Sequence, residues 1–172
     1  MYVHTHLPED LDKTEHYARI WQERFASGEF TRRNTWMADP EVTDRTTMLS
    51  EAAVHRSLGL EPVWKDTPYD HGVDVHAFGK TLAVRHRSPV GRDFLVPHRE
   101  GHWPFTCDLA VLVEDGDPGT MVIVGGLSRE QAKNRWIPVK AGTWGMRVDS
   151  WMLRRRHLEP WEDVVAQVCA PR

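Results

Sequence analysis

Glu51, Asp74, Arg85 and Arg87 are the residues whose types and order suggest chemistry. Glu51 lies in SEAAVHRSLGL, a stretch with a helical apolar side, and Asp74 lies in the strand-like GVDV. Arg85 and Arg87 close TLAVRHR, a second strand reached through a short turn. Metal-dependent phosphodiester cleavage needs this kind of set. Oxygen ligands suit a hard divalent ion, Mg2+ or Mn2+, and a neighbouring cation stabilises charge on the phosphate. The period of two in a strand puts Ala83, Arg85 and Arg87 on one face and Leu82, Val84 and His86 on the other. An acid between Val73 and Val75 is costly in a strand unless it has a partner, which marks Asp74 more strongly than Glu51. The plainer alternative for Glu51 is a solvated helix residue.

The elements that must position these groups follow from pattern. Tyr17, Ile20, Trp21 and Phe25 recur at helical spacing and predict a helix from Lys13 to about Ser27, after a loose lead-in of a dozen residues. A second helix is expected from Thr43 to Leu58, with Gly59 as its left-handed cap. Short strands are expected at Gly72–Val75, Thr81–Arg87 and Asp93–Val96, with a turn at Ala77–Lys80. Asp108–Glu114 and Thr120–Gly125 are near-continuous apolar runs, the signature of central strands buried on both faces, joined by the turn-rich DGDPG. Ser128-Arg129-Glu130-Gln131 has the form of a capped helix start. A last strand is expected within Met146–Met152 and a helix from Leu158 onward. The order predicts an α/β (α+β) fold with one central mixed sheet flanked by helices.

On these residues the chain resembles the PD-(D/E)XK, restriction-endonuclease-like, nuclease superfamily in a divergent, small phage or bacterial form. Ser50-Glu51 matches the helix glutamate, Gly72-Val73-Asp74 the strand aspartate, and Leu82-Ala83-Val84-Arg85 the strand that carries acidic-x-Lys. DLAVLVEDGDPGTMVIVGGLSREQA is similar to the sheet-and-helix tail of small members. The resemblance covers roughly residues 43 to 135. It implies a Mg-dependent endonuclease with Glu51 and Asp74 as metal ligands and Arg85 as the third catalytic group. It divides the chain into an N-terminal helix and connection (1–42), a nuclease-like core (43–158) and a C-terminal helix or tail (159–172). A nuclease that cuts both strands would pair as a homodimer.

The departures from that pattern are Ala83, which offers no ligand, and Arg85 in place of Lys. Arginine keeps a permanent charge and a bidentate phosphate fork but does not readily shed a proton. A charge-stabilising role for Arg85 survives and a general-base role does not. Three readings stay open: hydrolysis through the two remaining carboxylates; a catalytically inactive nucleic-acid- or protein-binding module on the same fold, such as a phage accessory or counter-defence protein; or a structural or assembly partner whose sheet edge or tryptophan-bearing loops contact protein.

Lys80, Arg85, Arg87, Arg92 and Arg99 form the densest cationic segment, suited to tracking a nucleic-acid backbone, DNA before RNA. A solvated strand edge is the competing explanation. Arg154-Arg155-Arg156-His157 is a second basic cluster, and the groove reading strengthens if both clusters share one side of the sheet. A net charge of −3 over 172 residues excludes a generally basic chain, not a local basic groove. His4-x-His6 has no matching downstream ligand set. Asp108 reads as a strand-end cap and Asp70 as a turn residue. Trp103 and Trp144 sit in loop-like sequence where an indole either plugs the core or stacks on a base. No apolar run approaches the roughly 18 residues of a membrane span, and the N-terminus lacks a signal-peptide pattern. With Cys107 and Cys169 as the two cysteines, a reducing cytoplasm is expected, that of the host if the chain is phage-encoded.

Overall fold

The computed structural model describes residues 1–30, 40–67, 73–87, 93–97, 106–140 and 150–170. The lead-in is not loose. Tyr2–Thr5 is a strand, β1, and Pro8–Ala26 is helix α1, starting several residues earlier than the apolar spacing indicates. Proline in the first turn, followed by Glu9 and Asp10 near the positive end of the helix dipole, sets that start. Helix α2 runs Pro40–Ser57 and ends as expected. Gly59 has φ 71°, the Leu60 N–H reaches the His55 carbonyl and the Gly59 N–H that of Arg56, the double bond of a Schellman cap.

The remaining elements are β2 (Val75–Ala77), β3 (Lys80–Arg87), β4 (Asp93–Pro97), β5 (Leu109–Asp115), β6 (Thr120–Ser128), α3 (Arg129–Arg135), β7 (Ile137–Val139), β8 (Ser150–Arg154), a 3-10 turn at Arg155–His157 and α4 (Trp161–Cys169). Five strands form a mixed sheet in the order β1-β6-β5-β3-β2, flanked by helices. Its one parallel pair is β3–β5, from Leu82 opposite Leu109 to Arg87 opposite Glu114. A single sheet is not the whole architecture: β4, β8 and β7 form a second, three-stranded sheet. The short β7, with Pro138 at its centre, has no readable alternation in sequence.

Strand periodicity divides the core. Leu82, Val84, Leu109, Val111 and Val113 face α2 and α4, meeting Ala53, Val54, Trp161 and Val164. The alternate positions Ala83, Ala110 and Leu112 face α3 and the second sheet, meeting Ala132, Trp136 and Leu153. Each large aliphatic side chain buried this way contributes about 1.5–3 kcal/mol. A smaller cluster of Ala18, Trp21 and Met48 joins α1 to α2. Gly125 and Gly126 belong to packing. The backbone at Glu159 bridges to Gly126 in both directions, and a Cβ on either glycine would collide with a carbonyl oxygen. No helix among the described residues is long and apolar enough to cross a membrane.

Candidate functional site

The parallel strands β3 and β5 end together, and charged groups collect there. Asp74, just before β2, is 7% exposed. Its backbone N–H donates to the Leu82 carbonyl, extending the β2–β3 ladder by one residue. Its carboxylate then turns into the plane of the sheet. Oδ2 accepts the Val84 N–H at 2.5 Å and an Arg85 guanidinium N–H at 2.9 Å. The acid that looked costly in sequence is thus a substitute for the strand that stops short. It supplies the acceptor that β3 lacks at its edge, with charge-assisted strength. Arg85 also donates to the Val84 carbonyl at 2.8 Å.

Glu51 approaches from α2 with its side chain 14% exposed, and meets an unforeseen partner, Lys65. The Lys65 ammonium lies 3.7 Å from Glu51 Oε2 and donates to the backbone carbonyls of Asp74 at 3.1 Å and Val73 at 3.4 Å. Helix α1 holds Lys65 in place. The Trp21 indole N–H donates to the Lys65 carbonyl at 3.0 Å, Arg24 binds both the carbonyl and carboxylate of Asp66, and Trp64 stacks on Tyr17. His55, one turn after Glu51, directs Nδ1 to the Glu51 carbonyl. Burial pushes its pKa below the ordinary value and the Lys65 and Arg56 charges add to that, against the raising effect of the carbonyl bond.

Arg87 shares its sheet face with Arg85 and sits across the ladder from Glu114. Burial, and then the Arg85 charge, lower the pKa of the Arg87 guanidinium. Glu114 is 4% exposed, and Arg155 from the second basic cluster reaches it at 3.1 Å. Glu114 thus lies between the two clusters, with Arg87 opposite it on the β3 ladder and Arg155, from the turn after β8, paired to it. Arg135 of α3 anchors that turn through the His157 carbonyl at 2.7 Å. On the opposite face, His86 bonds Asp115 at 2.9 Å, and its pKa is lowered by burial, which outweighs the aspartate.

Of the residues singled out from sequence, Asp74 and Arg85 are in direct contact, Glu51 joins them through Lys65, and Arg87 lies two residues along the same face. Lys80 is elsewhere: it donates to the Gln167 carbonyl at 2.7 Å, in the last turn of α4. Arg92, Arg99, Asp70, Trp103 and Trp144 lie outside the described residues. Asp108 accepts from both the N–H and the hydroxyl of Thr81, a cap between strand starts. Sequence reasoning missed Lys65 and Glu114. Glu114 had a signal, an acid closing the apolar run DLAVLV, whereas Lys65 in a loop had none. Scans against protein-family models, curated proteins and solved structures return no match.

The groups expected to hold Mg2+ or Mn2+ are engaged with donors of the chain itself. Among the described residues no group of three or more His, Cys, Asp or Glu side chains could hold a metal ion. Asp74 Oδ2 is committed to two N–H donors, Glu51 faces an ammonium, and Ala83 is fully buried among apolar side chains on the face away from α2.

Proposed function

We propose that this chain is a nucleic-acid-binding module on a scaffold of the restriction-endonuclease-like kind, gripping the phosphodiester backbone at the end of the β3–β5 pair. One observation carries this reading: Arg87 lies across the ladder from Glu114 and Glu114 pairs with Arg155, so basic clusters 68 residues apart in sequence approach the same strand end. Arg85 extends the cationic row along β3, and Arg154 and Arg156 flank the Arg155 side. Guanidinium forks suit phosphate oxygens, and their fixed spacing sets register without reading sequence. The buried acids orient the arginines, and each phosphate the arginines neutralise adds to the dependence of affinity on salt. DNA is the polymer first expected, as a duplex or a single strand.

Metal-dependent hydrolysis, with Glu51 and Asp74 as ligands, is the competing reading, and one assay separates them. Fluorescence anisotropy with labelled DNA and RNA at low salt is combined with supercoiled-plasmid nicking in Mg2+ and Mn2+. The binding reading expects a salt-sensitive complex and intact plasmid. Nicking that Asp74→Asn abolishes would return the chain to the hydrolases. Failure to bind either polymer at low salt would leave protein binding as the remaining role of the scaffold.

A further inference from the structure

Among the described residues, oxygens from two separate parts of the chain surround Lys65: the Glu51 carboxylate on α2 and the Val73 and Asp74 carbonyls leading into β2. An all-oxygen set combining a carboxylate with backbone carbonyls is the kind that hard cations take. Here an ammonium from the same chain fills it. The delivery is built in: Trp21 holds the Lys65 carbonyl, and Arg24 holds Asp66 immediately after it. The side chain is only 25% exposed, so its charge is largely withdrawn from water and balanced at close range by Glu51.

We propose that Lys65 is a resident cation, its ammonium occupying the oxygen-lined position that a divalent ion would otherwise take, so that α2, the β2 lead-in and α1 are locked together without metal. This inference is independent of whether the chain binds nucleic acid. It assigns α1 a direct part in shaping the site, and gives the largely buried Glu51 carboxylate a cationic neighbour. The position is a cation site by its oxygens and a metal-free one by its occupant.

The test is thermal unfolding of the full chain with Mn2+ or Ca2+ at constant ionic strength. The wild-type midpoint is expected to be the same in EDTA and in millimolar Mn2+. Lys65→Ala vacates the position, and at tenfold excess of ion over its dissociation constant its midpoint is expected to rise by roughly 4 °C. Adding Glu51→Gln to that variant abolishes the rise. The inference is overturned if Mn2+ stabilises the wild type in a Glu51-dependent way, or if folded Lys65→Ala gains nothing from either ion. Should Lys65→Ala fail to fold in EDTA, rescue of its folding by Mn2+ supports the inference and absence of rescue overturns it.

Discussion

Asp74 offers the sharpest perturbation, because the two substitutions Asp74→Ala and Asp74→Asn separate its duties. The carboxylate accepts the Val84 N–H and the Arg85 guanidinium while 7% exposed. Alanine takes the acceptor from the buried Val84 N–H and the counter-charge from Arg85, which keeps the Val84 carbonyl. An unsatisfied buried N–H costs about 1–3 kcal/mol, and the screened charge lost beside Arg85 about 1 kcal/mol more. Asparagine can still accept the Val84 N–H and loses only the charge toward Arg85, which is one-third exposed. With solvent screening that loss is about 1 kcal/mol. Urea unfolding should therefore place the two variants about 1–3 kcal/mol apart, the cost of the unsatisfied Val84 N–H. Binding should move the other way. A phosphate seated on Arg85 is repelled by Asp74 by about 1 kcal/mol at near-water screening, so Asp74→Asn tightens DNA binding roughly fivefold at low salt. Equal stability losses in the two variants, or weaker binding by Asp74→Asn, would refute this reasoning.

Three further outcomes are expected. His4, His6, His55 and His86 all have pKa values lowered mainly by burial, so the folded state binds fewer protons than the unfolded chain. Their stabilisation is complete above the unfolded value of about 6.5 and is lost as pH falls through the folded values; urea midpoints at pH 7.5, 6 and 5 should decline, and a flat profile would contradict this. Ala83→Glu, which restores the acidic position of the nuclease pattern, forces a carboxylate into a fully buried apolar cluster. It should cost more than about 3 kcal/mol without creating metal-dependent nicking, and nicking activity in that variant would reinstate the hydrolytic site. Phe78 sits at φ 49° in the two-residue β2–β3 turn beside Gly79 and is 54% exposed. Phe78→Asn, a residue that tolerates this conformation, should raise stability by about 0.5–1 kcal/mol in the same urea assay.

Much of the fold was legible because its signals are local. The apolar runs of β5 and β6, the cap at Gly59 and the capping box of Ser128 and Gln131 each need only a few neighbouring residues. What was not legible depends on distant partners. Tyr2–Thr5 becomes a strand because β6 offers an edge, pairing Tyr2 with Ile123 and Thr5 with Thr120. The second sheet exists because β8 brings β4 and β7 together. The same divide runs through the site. Asp74 betrayed itself as an acid among valines, and the alternation of β3 put Arg85 and Arg87 on one face. That alternation also separates Ala83 from α2. Lys65 reaches Glu51 only because α1 packs its loop from the other side, and Lys80, one of the cationic segment in sequence, is drawn to the end of α4.

The central claim is that Arg87 and Arg155, gathered around Glu114, make one phosphate-gripping surface. The most direct measurement is the dependence of the DNA dissociation constant on salt, for wild type and for Arg87→Gln and Arg155→Gln. Each contacted phosphate contributes about 0.9 to the slope of log affinity against log salt on duplex DNA. Each single variant is predicted to lower that slope by about one phosphate, with folding confirmed by an unchanged far-ultraviolet spectrum. A wild-type affinity indifferent to salt, or variants whose slopes match wild type, would contradict the account.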